Sequence, residues 1–474
     1  MNKQVIVMIF GCLLCVGFVS AEEISPGWER SYRAGVTDCN GHYMGGSEMI
    51  HLVSHKGRLF AGNGYWQDSR NVCYGGKSSE GWAQVLRLDK PGGPWVVDLE
   101  MGPCHMRAQI LKSVTFTTDS NGKPFKAPVN LLLACENTFK ANQTETTMYT
   151  RDDETGKWVT STVFTGPRLA DIEDQSVRAR CVHRDQVTAV EQIFVSLGKL
   201  GVFSGVYDPS LPGNVRWASR SESGPVEIRP MAIINSGDDL FFSAGRNVYR
   251  RNDGVSPSYT VVQDMSDIYP DVAVQPMGGI RGLSSIPSPG GKGNSLIFVM
   301  AEGNRSRGAI YRLDPTGDGR YTRTREVYLD ELMSRYLSGN PVYTILAAYN
   351  NFQPVLDPAT KECVHLIGFE SWISGHRFPL WGENKEGGFY AGGMYAIRDK
   401  NGTYRLKEIN GRCTPSSPPL VATRCFAMSP FPEPPGGALY FGGHDGNQKP
   451  SHNMAWVFST SVTNALQVDQ VDTN

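Results

Sequence analysis

The sequence predicts an all-β fold built from repeated four-stranded units. Short runs rich in β-branched and aromatic residues recur along the 474-residue chain. Turn-forming residues separate these runs, and the chain contains 52 Gly and 29 Pro. Helical periodicity is confined to one short run, residues 329–337. Alternation of strand-type runs with turn residues is typical of all-β domains, so we expect strands throughout and one short helix.

Each predicted unit contains four runs in a fixed order, which indicates an internal repeat. The first runs begin mostly at arginine: Glu48, Arg107, Arg178, Arg229, Arg281, Tyr343 and Arg424. The second runs are apolar and often end in glycine: Gly62, Ala134, Gly198, Gly245, Gly303, Gly368 and Gly443. The third runs often end in aspartate: Asp89, Asp153, Asp208, Asp253, Asp314 and Asp399. The fourth runs begin at an aromatic residue: Trp95, Trp158, Trp217, Tyr259, Tyr321 and Tyr404.

The last unit has only three runs, and the N-terminus offers the missing fourth. Trp28 lies in a segment similar to those around Trp95 and Trp158. An N-terminal strand that completes the last sheet would close a ring and remove unpaired strand edges. The pattern resembles seven-bladed β-propellers over nearly the whole mature chain. The resemblance implies one domain, residues 22–474, with seven four-stranded blades.

Residues 1–21 have the pattern of a secretory signal peptide. Lys3 precedes an apolar run at 5–18, and small residues lead to a cleavage site after Ala21. The apolar run is too short to cross a bilayer, which needs about 20 residues. We therefore expect a secreted, extracellular protein without a membrane span.

Eight cysteines remain after the expected cleavage, and an even number in a secreted chain favours disulfides without fixing their connectivity. They are Cys39, Cys73, Cys104, Cys135, Cys181, Cys363, Cys413 and Cys425. Three tripeptides are N-glycosylation sequons, at Asn142, Asn304 and Asn401. The balance of 46 Lys+Arg against 47 Asp+Glu argues against a nucleic-acid binder, since neutralising phosphates requires a basic surface.

The starts of the first strands predict the position of a binding site. In a propeller these residues surround one mouth of the central channel, and five of the seven positions here are arginine. Clustered guanidinium groups bind carboxylate, sulfate or phosphate. The expected ligand is an acidic polysaccharide or another anionic extracellular ligand. Alternatively, each arginine braces neighbouring blades through backbone carbonyls or an acidic side chain.

Residues of the adjoining loops and strands are candidates for sugar binding and for catalysis. Trp66 and Trp372 suit stacking on sugar rings, or else only pack the loops. Tyr343 and His444 are expected to converge with Arg424 and Glu48. Such a set suits proton abstraction beside a carboxylate that an arginine neutralises. In residue types and fold this resembles the propeller-type polysaccharide lyases, and the resemblance implies Tyr343, His444 or Tyr65 as the catalytic base.

Two other functions remain open at this point. A glycoside hydrolase needs paired carboxylates, for which Glu48 with Asp445 or Glu370 are the candidates. A non-catalytic binding or matrix propeller is equally compatible with the fold. No cofactor is expected, and the histidines show no metal-ligand spacing. The segment 314–318 faintly resembles a calcium loop but more readily forms a turn between strands. We expect a monomer.

Overall fold

The computed structural model describes most of the chain between residues 24 and 467. The described residues are 24–66, 68–71, 76, 81–139, 142–169, 176–270, 279–291, 293–301, 307–336, 342–347, 351–374, 388–391, 393–410, 420–432, 436–446 and 450–467. The chain starts with strands β1 (Trp28–Arg33), β2 (Val36–Thr37) and β3 (Tyr43–Met44). Strands β2 and β3 form a two-stranded hairpin.

Five of the predicted units each form one four-stranded antiparallel sheet, with the strands in the predicted order. The first sheet contains β4 (Glu48–His55), β5 (Arg58–Gly64), β6 (Gln84–Leu88) and β7 (Val96–Glu100). The second contains β8 (Ile110–Thr118), β9 (Pro124–Phe139), β10 (Gln143–Arg151) and β11 (Trp158–Pro167). The third contains β12 (Val177–Arg184), β13 (Glu191–Leu197), β14 (Val202–Tyr207) and β15 (Val215–Trp217). The fourth contains β16 (Pro230–Ser236), β17 (Asp239–Ala244), β18 (Asn247–Asn252) and β19 (Ser258–Asp264). The fifth contains β20 (Gly279–Pro287), β21 (Asn294–Ala301), β22 (Ala309–Pro315) and β23 (Tyr321–Tyr328).

The remaining strands belong to a ten-stranded sheet, which includes β1. They are β24 (Val342–Ala347), β25 (Gln353–Leu356), β26 (Cys363–Ser374), β27 (Gly388–Ala391), β28 (Met394–Arg398), β29 (Tyr404–Glu408), β30 (Ala422–Met428), β31 (Ala438–His444) and β32 (Ala455–Ser461). The main order is β1-β32-β31-β30-β26-β28-β29. A single residue pair, Glu370 with Ala422, joins β26 to β30. The sheet therefore consists of two groups of strands with a narrow connection.

The two α-helices of the described chain are short. Helix α1 (Leu329–Tyr336) coincides with the predicted helix, and α2 (Val462–Leu466) follows the last strand. No helix among the described residues is long and apolar enough to cross a membrane. The segment after β22 forms the predicted turn, in which Arg320 N–H donates to Asp318 Oδ1 at 3.2 Å.

The N-terminal strand completes the sheet of the last unit. Strand β1 pairs antiparallel with β32, and Trp28 lies opposite Thr460. The Trp28 ring packs edge-on against Phe441 on β31, with 5.2 Å between the ring centroids. The predicted strand contribution from the N-terminus is therefore confirmed. It removes an unpaired edge that would otherwise expose the backbone of β32.

The hydrophobic core is divided into clusters between consecutive units. Each cluster of the described residues combines side chains from two neighbouring units, and one combines the last unit with the first. In that one, Leu59 and Leu86 of the first sheet pack with Tyr440 and Val457 of the last. A central cavity is lined by first strands, including β4, β8, β12, β16 and β30. The fold is therefore all-β and propeller-like.

The expected disulfide framework is absent from the described cysteines. Six of them are free: Cys39, Cys104, Cys135, Cys181, Cys363 and Cys425. Cys135 and Cys425 are buried in two different inter-unit clusters, so packing holds them apart. Cys73 and Cys413 lie outside the described residues, as do residues 1–21 and Asn304. Asn142 and Asn401 are exposed, and their glycosylation stays a prediction.

Ring closure through β1 gives a prediction about stability. Replacing Trp28 with alanine removes a large buried side chain from the cluster at β31 and β32, which costs about 3–5 kcal/mol for such truncations. We expect a correspondingly lower free energy of unfolding in urea denaturation. Val36→Ala on β2 is the control, because Val36 is 48% exposed. Equal stability of the two variants would show that β1 does not hold the ring together.

Candidate functional site

The seven predicted mouth residues lie at or next to the beginnings of first strands. Glu48 begins β4, Arg107 precedes β8, Arg178 is in β12, Arg229 precedes β16, Arg281 is in β20, Tyr343 is in β24 and Arg424 is in β30. Glu48 and the arginines at 107, 229, 281 and 424 are buried, and Arg178 is half-buried. The side chain of Tyr343 lies outside the described residues. These arginines are thus enclosed rather than displayed at an open rim.

The Glu48 carboxylate lies between two of the guanidinium groups. Its Oε1 is 3.6 Å from Arg107 Nη1, and its Oε2 is 3.5 Å from Arg424 Nη2. Arg107 reaches this position because its backbone bridges Gly64 at the end of β5. A Cβ at Gly64 would lie only 2.5 Å from the Arg107 Cβ, so any side chain there would push Arg107 away. Three neighbouring units therefore meet at Glu48.

Charge fixes the protonation state of Glu48. Burial alone would raise the pKa of its carboxyl group, since desolvation disfavours the charged form. The guanidinium groups of Arg107 and Arg424 outweigh burial and hold the pKa below its usual value of 4.5. Glu48 is therefore ionised at neutral pH.

A second carboxylate and a histidine extend the network. Glu370 Oε2 is 3.5 Å from Arg424 Nη2, and Glu370 Oε1 is 3.9 Å from His444 Nε2. His444 ends β31 and is buried, and burial lowers its pKa despite the nearby carboxylates of Glu370 and Glu48. The imidazole is therefore neutral at pH 7. Of the four residues expected to converge, His444, Arg424 and Glu48 come together, and the side chain of the fourth, Tyr343, lies outside the described residues.

Arg107 also contacts a second carboxyl group, that of Glu136 on β9. The backbone N–H of Arg107 donates to Glu136 Oε2 at 3.3 Å, and Gln109 Nε2 donates to Oε1 at 3.3 Å. Burial raises the pKa of Glu136 to about 8, and the charges of Arg107 and Arg178 offset only part of this effect. Glu136 is therefore mainly protonated at neutral pH, the opposite of Glu48.

Several buried polar atoms at this end of the channel have no hydrogen-bond partner within the described structure, among them Glu48 Oε1, Gln109 Oε1 and His444 Nδ1. Buried polar atoms are nearly always hydrogen-bonded in proteins, so each exception calls for an explanation. The distances between the charged groups here also exceed ordinary hydrogen-bond lengths. Such a loosely paired polar cluster is typical of a site that a ligand completes.

Aromatic residues lie beside the cluster. The Arg107 guanidinium carbon is 5.8 Å from the centroid of the half-buried Trp66 ring. Ser47 Oγ donates to the Trp66 carbonyl at 2.9 Å and fixes this loop. Tyr65 is buried, and burial raises its pKa well above the usual value of 10. That direction is the reverse of what a phenolate base requires. The side chain of Trp372, on β26, lies outside the described residues.

Among the other arginines of the predicted ring, Arg229 contacts the neighbouring unit. Arg229 Nη1 donates to Ser176 Oγ at 2.9 Å. The backbone N–H of Arg178 donates to Ser196 Oγ at 3.3 Å, and Ser196 Oγ donates to the Pro230 carbonyl at 3.2 Å. Units three and four are thus connected here, which agrees with the bracing interpretation for Arg229.

Asp445, the remaining hydrolase candidate, and Asp314, in the candidate calcium loop, lie outside the cluster around Glu48. Asp445 lines a separate small cavity with Arg30 and Arg33. Asp314 forms an ion pair with Arg312 at 2.8 Å and accepts a hydrogen bond from Ser295 at 2.5 Å. Within the described part of the chain, no three His, Cys, Asp or Glu side chains form a group that could hold a metal ion.

No role for Glu136 or for Gln109 was predicted from the sequence. A signal was present, since Glu136 follows the apolar run 131–135 and interrupts a strand that otherwise reads as buried. Which residue it faces depends on the contact between β9 and the segment before β8. That contact is not visible from spacing along the chain.

Comparison with known proteins gives distant structural similarity. No family model and no curated protein matches the chain. A Penicillium chrysogenum α-L-arabinanase solved with arabinobiose has a TM-score of 0.44 at 12% identity, over 93% of this chain and 99% of that chain. The GH93 α-L-arabinofuranosidase of Fusarium graminearum, also solved with arabinobiose, has a TM-score of 0.44 at 9% identity over the same shares. The WD40 domain of SCAP from fission yeast has a TM-score of 0.32 at 8% identity, over 88% of this chain and 85% of that chain.

The protonation of Glu136 can be tested through stability. With a pKa near 8 when folded and near 4.5 when unfolded, Glu136 binds a proton only in the folded state between these values. Its contribution to stability is complete below pH 4.5 and is lost as the pH rises through 8. We expect the free energy of unfolding to fall more steeply from pH 5 to pH 8 in the wild type than in Glu136→Gln.

The matched control is Glu227→Gln, because Glu227 is exposed and should leave the slope unchanged. Denaturant titrations of the three proteins at several pH values supply the measurement. Titration of Glu48 falls below this pH window, and titration of His444 is common to all three proteins. If Glu136→Gln has the wild-type slope, Glu136 is ionised when folded.

Proposed function

We propose that the protein is a secreted seven-bladed β-propeller that binds a glycan at the Glu48 end of its central channel and cleaves a glycosidic bond there. The blade count rests on the core. Seven hydrophobic clusters connect successive units in a circle, which fits seven blades if the ten-stranded sheet contains two of them. The narrow connection at Glu370 and Ala422 supports that division.

The opposite protonation of Glu48 and Glu136 carries the proposed chemistry. Glycoside hydrolysis uses one protonated carboxylic acid and one carboxylate. Two carboxyl groups whose surroundings push their pKa values apart supply this pair. Glu136 is the proton donor, because burial keeps it protonated near neutral pH. Glu48 is the carboxylate, because two guanidinium groups keep it ionised.

Neighbouring groups would orient the substrate. Glu370 and His444 present hydrogen-bonding atoms beside Arg424, and the Glu370 side chain is 17% exposed. Trp66 offers an aromatic face of the kind on which sugar rings pack. Glu136 itself is fully buried behind the backbone of Arg107, so substrate contact requires a shift of that segment. Catalytic hydrogen bonds often form only in the substrate complex.

Hydrolysis fits this site better than the lyase chemistry expected from the sequence. A lyase base of the tyrosine type needs a lowered phenol pKa, whereas burial raises that of Tyr65. Arg107 and Arg424, expected to neutralise an acidic sugar, already face Glu48. A neutral glycan therefore suits the site at least as well as an acidic one.

The test is turnover on a panel of neutral and acidic glycans, such as arabinan, xylan and polygalacturonate. Reducing ends report hydrolysis, and absorbance of an unsaturated product reports elimination. We expect hydrolysis with an alkaline limb near pH 8, where Glu136 loses its proton. Glu136→Gln should lower kcat by at least about 10²-fold, the usual contribution of a general acid, whereas Glu227→Gln should not.

Three other outcomes would contradict parts of this proposal. Formation of an unsaturated product would replace hydrolysis by elimination. Loss of turnover in Glu370→Gln but not in Glu136→Gln would move the acid to Glu370. Glycan binding that depends on Trp66, without turnover on any substrate, would indicate a non-catalytic binding propeller.

A further inference from the structure

The lining of the central cavity contains charged residues beyond those that contact Glu48. Its volume is about 650 Å³, and first strands of several blades line it. The charged residues in its lining are all basic: Lys112, Arg178, Arg180 and Arg424. No Asp or Glu belongs to the described lining. Arg424 faces Glu48 and Glu370, and the charge of Arg178 acts on Glu48 and Glu136, which leaves the charges of Lys112 and Arg180 to be explained.

Arg180 on β12 lines this cavity, and few acceptor groups of the described protein contact its guanidinium group. Its Nη2 donates to the Leu111 carbonyl at 3.3 Å, and its Nε is buried without a hydrogen-bond acceptor in the described structure. Burial lowers the pKa of Arg180 to about 10. A buried cation without a carboxylate is costly, because desolvation is not offset by an opposite charge.

Lys112 on β8 is adjacent to Leu111 and adds a second positive charge. Solvent in the cavity reaches its side chain, yet protein surrounds it closely enough that burial lowers its pKa, and the charge of Arg180 lowers it further. His51 lines the same wall, and its ring contacts the Gln109 carbonyl through Nε2 at 2.7 Å. Burial and Arg180 lower the pKa of His51 to about 3, so it is neutral at pH 7.

Two other buried arginines are neutralised by carboxylates. Arg251 forms ion pairs with Asp185, Glu222 and Asp253. Arg398 lies 2.7 Å from Glu326. In the described structure, Arg180 and Lys112 have no such carboxylate partner. Two adjacent cations that line the same cavity can bind an anion between them.

We propose that the central channel binds a small oxyanion of the sulfate or phosphate class between Lys112 and Arg180. The guanidinium group offers paired N–H donors that match two oxyanion oxygens, and the ammonium group adds a point charge. The anion removes the repulsion between β8 and β12 and stabilises the ring of blades from inside. This site is separate from the carboxylate cluster, which consists of Glu48, Glu370 and Glu136 with the arginines that contact them. It does not depend on the proposed glycosidase activity.

The test measures thermal unfolding of the full-length mature protein in sulfate, at constant ionic strength with chloride as the replacement anion. A ligand that binds only the folded state raises the unfolding midpoint as its concentration increases. For the wild type we expect the unfolding midpoint to rise by about a few degrees and then level off. A shift of this size follows when the sulfate concentration is well above its Kd. Lys112→Met and Arg180→Met should lose this increase.

The matched controls are Lys126→Met on β9 and Arg184→Met at the end of β12, since neither side chain lines the central cavity. Both controls should respond as the wild type does. An equal response in all five proteins would indicate a general salt effect and overturn the proposal, as would no response in the wild type. The two test variants should fold, because each removes a cation that lacks a carboxylate partner.

A structural measurement keeps the proposal testable if either variant fails to fold. Wild-type crystals soaked in selenate should show anomalous density between Arg180 and Lys112. Density elsewhere, or none in the channel, would refute the site.

Discussion

Pairing of β1 with β32 is the interaction on which the rest of the structure depends. It brings the first unit against the last, so that Leu59 packs near Tyr440 in a shared cluster. The same closure brings Glu48 of β4 to Arg424 of β30, residues near opposite ends of the chain. Without it, the backbone of β32 would be an exposed edge and the carboxylate cluster would lack one of its two guanidinium groups.

Closure also explains why neighbouring carboxyl groups have opposite protonation states. Every first strand approaches the same axis, so side chains at its start are desolvated together. Glu48 lies between two arginines there and stays ionised, whereas Glu136 meets a backbone N–H and an amide and becomes protonated. Burial is similar for both residues, and the charge of the immediate neighbours decides the outcome.

Among the described residues, no carboxylate faces the charges of Arg180 and Lys112 in the channel. Arg180 and Lys112 would be more stable if a carboxylate faced them, as one faces Arg398. Natural proteins commonly retain such local instability where a ligand is bound. In the two proposals made above, the carboxyl groups Glu48 and Glu136 would transfer protons and the channel cations Lys112 and Arg180 would hold an anion, both near the same axis.

The sequence by itself determined the strand order within units, the short helix at 329–336 and the contribution of Trp28 to the last sheet, because periodicity and turn residues are local signals. It also brought Glu48, Arg424 and His444 together through their equivalent places in the repeat. Only the tertiary structure decided that the arginines are enclosed, that Glu136 faces Arg107 and that Arg180 has no carboxylate partner among the described residues. Burial and charge at these residues depend on contacts between blades, which spacing along one chain does not encode.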